Sequence, residues 1–401
     1  VKTQVEPRTT LDRTLTLPLL VFYGVGVTIG AGIFALIGEI LDLAGDRAPQ
    51  SFLLAGIIAA LTGTSYALLV RVFPRAGGEA VFVNKGLGPW FGRAAGYGVL
   101  TTAVISSAVI ALAFAGYVQS LIDLPGWLLA VAVVAGLAAV AMWGVRESVY
   151  FAAVITVLEL GTLLVILVFG LPELGDAEVW RRGFTPTTDV DVASAVLSGS
   201  IIAFFAFIGF EDIENMAEET VDPVRTAPRA ILWTLAITVF CYVLLAVVAV
   251  GASGRSTITA SDAPLAELFE QLSGRSGSAV SAMASIAMVN GILVQIVMAA
   301  RVLYGMASEG LAPGWVGKVD ERRQTPIRAT ALIAAVVMFL ALFFPLVDLA
   351  RLTSIIILIV FTLVNLSLFR LGATVDDRLI RRWRWLGLVG AVVCVVVVVL
   401  G

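Results

Sequence analysis

Long apolar runs, each near the length of a bilayer crossing and separated by short polar or Pro/Gly-rich breaks, constrain this chain more than any other feature. Read between those breaks, eleven spans lie at 18–41, 51–73, 94–122, 126–144, 149–171, 194–217, 229–251, 278–307, 328–345, 348–369 and 385–401. One crossing needs about 20 apolar residues. With 59% hydrophobic and 14% charged residues, the chain lacks the polar surface that would keep 401 residues soluble. The runs are continuous and do not alternate as short strands do, which selects a helical bundle over a barrel. The expected fold is an all-α polytopic membrane protein with about eleven transmembrane helices.

Charge sets the expected orientation. Most of the 26 lysines and arginines fall in loops on the N-terminal side, leaving Arg47, Arg181, Arg182, Arg255, Arg275 and Arg351 on the other. Basic excess marks the cytoplasmic face, so segment 1–17 is expected in the cytoplasm, the protein in the plasma membrane, and Gly401 outside. The leading stretch VKTQVEPRTTLDRTLTLP is too polar, and in part too acidic, for a signal peptide and is expected to stay attached.

Several chemistries find no support in the residues. Histidine is absent, and Cys241 and Cys394 both sit inside apolar runs with no CxxC or metal-ligand spacing. No GxSxG elbow is present. The expectation is a non-enzyme with no cofactor, no metal site and no nucleic-acid partner.

The first span carries its own interruption. GVGVTIGAGIFALIGE, residues 24–39, holds Gly24, Gly26, Gly30, Gly32 and Gly38 in a run otherwise fit for a membrane helix. The sixth span holds a matching one in FFAFIGFEDIENMAEE, where Gly209 leads into an acidic half. Five spans separate the two starts, which predicts a five-plus-five arrangement: a first inverted repeat over 18–171, a second over 194–369, and an additional C-terminal helix over 385–401. Paired interrupted helices at matched positions point to a secondary transporter with its site near the midplane. Small residues at Gly30, Ala31 and Gly32 let the backbone leave helical geometry and let a ligand approach, which is tolerated at that depth only beside a cavity. Freed N–H groups suit a carboxylate and freed carbonyls suit an ammonium, so the expected ligand is an amino acid. Close helix packing through small residues is the competing explanation for such glycines.

At these residues the chain resembles the amino acid–polyamine–organocation (APC) superfamily of amino acid transporters. GVTIGAGIF is similar to the family's first-helix motif, and FFAFIGFEDIENMAEET with DPVRTAPRAI to its sixth-helix motif and following loop. RVLYGMASEGLAP with RQTPIRA resembles the end of its eighth helix and the next loop. The resemblance implies an alternating-access transporter with discontinuous helices 1 and 6. It implies that the substrate carboxylate meets the amides of Ala31 and Gly32, and the amine the carbonyls of Ile29, Phe205, Ala206 and Ile208. Phe204, Phe207 and Phe210 would then supply wall and gate, with Gly30 and Gly209 at the breaks.

Two departures from the family pattern matter. Sodium-independent, proton-coupled members often carry a lysine in the fifth helix, whereas here YFAAVITVLELGTLLVIL aligns Glu159 with it. An acid in that setting is costly when charged, so Glu159 is read as a proton carrier, the partner of an unseen cation, or a neutral acid capped by a carbonyl. Glu211 is the acid nearest the sixth-helix break and is the second coupling candidate. The family also usually has twelve helices, so this chain is either truncated or an eleven-span member.

The resulting expectation is a secondary active amino acid transporter, proton-coupled and sodium-independent, with protons as the coupling ion. The third span offers no acid before Asp123, which favours neutral substrates. An exchanger, a cationic amino acid or polyamine transporter, and a transporter-like sensor remain alternatives.

Overall fold

The computed structural model describes residues 13–74, 78–144, 149–308, 312–320, 323 and 325–400. The motif residues 309–311 and 324, and most of segment 1–17, fall outside it. Sixteen α-helices follow one another in the described chain. The first five are α1 (Leu17–Ala44), α2 (Ala48–Val72), α3 (Gly78–Leu87), α4 (Pro89–Gln119) and α5 (Gly126–Trp143). Then come α6 (Val149–Phe169), α7 (Leu171–Gly175), α8 (Ala177–Phe184), α9 (Val190–Phe205), α10 (Pro223–Gly251) and α11 (Arg255–Thr259). The last five are α12 (Pro264–Ser273), α13 (Ser278–Ser308), α14 (Ile327–Phe343), α15 (Leu346–Thr374) and α16 (Arg378–Leu400). Strand pairing among the described residues is limited to isolated bridges, such as Leu15 with Thr220.

Each apolar run coincides with a helix. Eight stretches are long and apolar enough to cross a membrane; the first, Leu17–Val72, contains both α1 and α2. Ala153–Phe169 and Ile327–Phe343 are apolar but shorter, about 25 Å each at 1.5 Å per residue, near the lower limit for a crossing. The chain is a polytopic helical membrane protein.

Polar stretches between the runs also fold. Asp176 caps α8 by accepting the Glu178 amide at 2.8 Å, and Asp189 caps α9 through the Asp191 amide at 2.9 Å. These side-chain caps satisfy amides that a helix start leaves without partners. Helix α3 and the third span are joined by Gly88, whose φ of +103° lets the chain turn into Pro89 at the start of α4.

The sixth span departs most from a simple crossing. Its α-helix stops at Phe205, and Phe210–Glu219 continues as a 3-10 helix. Ten residues is long for that geometry, which is common only in short pieces. The core lies around α1, α9, α2 and α10, where Phe34, Phe52, Phe204, Phe207, Phe210 and Tyr242 are fully buried. On the periphery, α16 turns Val389, Val392, Val395 and Val399 outward, as a lipid-facing surface requires.

Buried polar contacts tie α2 to α15, and α16 packs over them. The Ser65 hydroxyl donates to Asn365 Oδ1 at 2.6 Å, and Asn365 Nδ2 donates to Thr62 Oγ1 at 3.0 Å. Gly387 and Gly390 of α16 lie directly against Asn365, so close that a side chain at either would collide with it. Small residues that admit a polar partner are how helices associate without a hydrophobic drive in lipid.

Candidate functional site

The break in α1 falls at Gly30, the residue of that helix with non-helical backbone angles (φ 6°, ψ −144°). In the sixth span, the amides of Ala206, Phe207 and Ile208 donate to the carbonyls of Ala203, Phe204 and Phe205 at 3.0, 3.0 and 3.2 Å. The chain then turns at Gly209, whose φ is +124°, a conformation that favours glycine. The Gly209 amide is taken by Glu211 Oε2 at 2.8 Å. Glu211 therefore closes the backbone accounting of its own break.

The two breaks cross. A Cβ on Gly32 would stand 2.6 Å from the Ala206 Cα, and one on Gly209 would stand 2.9 Å from the Val27 carbonyl oxygen. Each break thus uses a glycine to admit the other's backbone. Gly30 differs, since a Cβ there would meet nothing within 4 Å.

That open space belongs to a cavity of about 90 Å³ lined by Gly30, Ala31, Gly32, Phe205, Ile208 and Glu159. Its remaining wall brings in Ser106 from α4, Asp212, and Asn290 and Gln295 from α13. The volume holds a few waters or a small ligand, and the charged side chains on the wall are both acidic. Glu159 is 4% exposed, and among the described residues its carboxyl makes no hydrogen bond or ion pair. One turn before it in α6, Thr156 packs directly on Gly26, so Glu159 is held against the first half of α1.

The other expected site residues lie around the cavity without lining it. The carbonyls of Ile29 and Ala206, with that of Thr28, converge on the Tyr242 hydroxyl at 3.3, 2.9 and 3.1 Å. Phe204 is buried edge-on against Phe361, and Phe207 against Tyr242. Phe210 packs on Tyr66 and Phe361.

A larger cavity of about 370 Å³ adjoins the first, and the two share Asp212, Val294 and Gln295. It reaches the end of the bundle built from α3, the 3-10 helix and the last turns of α13. Glu79, Glu211 and Asp212 line it with Arg301. Tyr66 donates to Glu79 Oε1 at 2.8 Å. An acid-rich concave wall raises the local concentration of cations.

The opposite end is shut. Tyr117 donates to the Phe34 carbonyl at 2.9 Å and accepts the Leu265 amide at 3.2 Å, stitching α4, the second half of α1 and α12 together. Gly38 packs on Pro264, Gly116 on Asp262, and Arg255 pairs with Asp46. The central cavity thus shares wall residues with the larger cavity toward one end of the bundle, and bonded, closely packed helices lie toward the other.

Comparison with known proteins agrees with this architecture. An amino acid permease family model matches residues 15–401. An uncharacterized transporter of Mycobacterium tuberculosis strain H37Rv is 30% identical over 397 residues, covering 96% of this chain and 86% of the relative. The mitochondrial cationic amino acid transporter 3 of Arabidopsis thaliana is 29% identical, covering 89% of this chain and 62% of the relative. A methylthioribose transporter of Bacillus subtilis is 25% identical, covering 89% of this chain and 80% of the relative. With a family match spanning nearly its whole length and two crossed helix breaks at its centre, the chain belongs to the amino acid permease family, within the amino acid–polyamine–organocation superfamily.

Proposed function

We propose that this protein is a secondary active transporter that carries amino acids across the cytoplasmic membrane by alternating access, and that its work is transport and not catalysis. The observation that carries the reading is the open space at Gly30, bounded by two helix breaks that cross at Gly32–Ala206 and Val27–Gly209. A zwitterion has a partner at each end there: amides at the start of the second half of α1 for the carboxylate, and carbonyls of the breaks for the ammonium. The two breaks stand in the first helices of two five-span halves, consistent with an inverted repeat.

Coupling is assigned to protons through Glu159, without sodium. Its carboxyl faces the substrate cavity and has no fixed partner among the described residues, so a proton and a substrate ammonium would both find it accessible. Glu211, bonded to the Gly209 amide, would sense the geometry of the break. By the distribution of basic residues, the N-terminus is cytoplasmic, and the adjoining cavities face inward.

The side-chain preference has two readings. The absence of an acid in the third span favours neutral amino acids. Glu159 and Asp212 on the cavity wall, with the acidic outer cavity, favour a substrate carrying an additional amine, as the name of the plant relative would suggest. Uptake into proteoliposomes decides both questions. Saturable uptake of leucine or of lysine, raised by an inward proton gradient and indifferent to sodium, is the expected result. Uptake that needs sodium overturns the coupling, and failure to take up any amino acid, with or without internal amino acid for exchange, overturns the transporter reading.

A further inference from the structure

The corner where α15 gives way to α16 gathers five arginines in fifteen residues: Arg370, Arg378, Arg381, Arg382 and Arg384, against Asp376 and Asp377. The acids are engaged locally. Asp376 pairs with Arg381 at 2.7 Å, and Asp377 accepts the amides of Leu379 and Ile380 at 2.8 and 3.0 Å. Arg370, Arg378 and Arg382 are exposed and form no ion pair among the described residues.

Aromatic rings fix part of this charge in place. The Arg384 guanidinium lies 5.7 Å from the Phe369 ring and 5.2 Å from that of Trp385, and Arg382 lies 5.6 Å from Trp383. Trp383 and Trp385 are nevertheless 43% and 55% exposed. Below them the exposed valines of α16 begin. Exposed tryptophans between a basic turn and an apolar helix face mark the headgroup level of a bilayer. A soluble anion would meet the arginines but leave the tryptophans and valines unmatched, whereas a phospholipid with an anionic headgroup matches all three.

We propose that the α15–α16 corner is a binding site for an anionic phospholipid, with its phosphate among Arg370, Arg378 and Arg382 and its acyl chains along the exposed face of α16. The site is connected to the larger cavity through α15. Gly86 of α3 packs directly on Ser367 of α15, and α3 contributes Glu79 and Ala80 to the wall of the outer cavity. Helix α15, which ends at this corner, therefore links it to the segment that lines the larger cavity.

The test is native mass spectrometry of the full-length purified chain, incubated in detergent with equal amounts of dioleoylphosphatidylglycerol and dioleoylphosphatidylcholine. The wild-type chain is expected to retain the glycerol lipid preferentially. Each neutralised arginine should lower that preference roughly fivefold, so Arg378→Gln with Arg382→Gln should lower it roughly 25-fold. Both side chains are exposed, and neither serves the substrate cavity. Arg181→Gln with Arg182→Gln on α8, at the other end of the bundle, should leave the preference unchanged. Equal retention of the two lipids by the wild type overturns the site. So does a preference that the α16 pair leaves intact, or one that both pairs lower alike.

Discussion

The hydroxyl of Tyr242 lies 2.9 Å from the carbonyl oxygen of Ala206 and 3.1 Å from that of Thr28, so one side chain of α10 bridges both helix breaks. A hydroxyl has a single proton to donate, and three carbonyls compete for it once Ile29 is counted. The shared proton satisfies one of them at a time, so a single hydroxyl holds the backbones of both breaks together. Replacing Tyr242 with Phe removes the donor and leaves buried carbonyls without it, at a cost of about 1–3 kcal/mol. Thermal unfolding of purified Tyr242→Phe should occur at lower temperature, and its uptake KM should rise. Unchanged stability together with unchanged uptake would show that the bridge contributes nothing.

The glycines of the two breaks should respond differently to substitution. Gly209→Ala asks for φ near +124° with a Cβ 2.9 Å from the Val27 oxygen, so the crossing must separate. A loss of about 1–3 kcal/mol in stability is expected, with transport falling in parallel. Gly30→Leu adds bulk where nothing lies within 4 Å. It should reach the membrane and elute as a single species on size exclusion, yet fail to transport, because the side chain occupies the cavity. Normal transport by Gly30→Leu would remove Gly30 from the substrate site.

These contrasts also show what the sequence could and could not convey. The spans were legible because burial in lipid demands long apolar runs, and the break at Gly30 because small residues cluster there for a backbone reason. Tyr242 carried no such signal: a tyrosine in CYVLLAV reads as an interfacial or core ring until its hydroxyl is placed beside a helix break from elsewhere in the chain. Asn290 and Gln295 did carry one, as polar residues in the apolar eighth run. Conversely, Phe204 and Phe207 sit in the motif but turn into the core, since neighbours along a span face different directions and the motif alone does not say which. The interruption at Gly209 was legible in the sixth span, but the 3-10 geometry of the acidic half that follows was not.

Glu159 provides the third prediction. Glutamine at this position keeps the size and the hydrogen-bonding edge but cannot release a proton. If Glu159 carries the coupling proton, Glu159→Gln should bind substrate and exchange internal for external amino acid, while net uptake no longer accelerates when an inward proton gradient is imposed. The measurement is uptake into proteoliposomes at fixed substrate concentration, with and without that gradient. A gradient response equal to that of the wild type would return Glu159 to a structural role on the wall of the cavity.

The seal at the far end of the cavity is the last feature to test. Tyr117 holds the Phe34 carbonyl and the Leu265 amide at once, and Tyr117→Phe releases both while keeping the ring that packs edge-on against Phe34. Losing about 1–3 kcal/mol from the closed end should raise the population open on that side by roughly 5- to 150-fold. Ser106 lines the cavity, so Ser106→Cys, made after replacing Cys241 and Cys394, reports access through reaction with a membrane-impermeant maleimide. The reagent is applied from the side of α11 and α12, which the proposed orientation makes the outside. Labelling should be faster when Tyr117→Phe is added, and saturating substrate should change the rate in both backgrounds if the cavity is where it binds. Equal labelling rates with and without the Tyr117 hydroxyl would mean that the closure rests instead on the packing of Gly38 against Pro264 and Gly116 against Asp262, and that the hydroxyl only satisfies buried backbone.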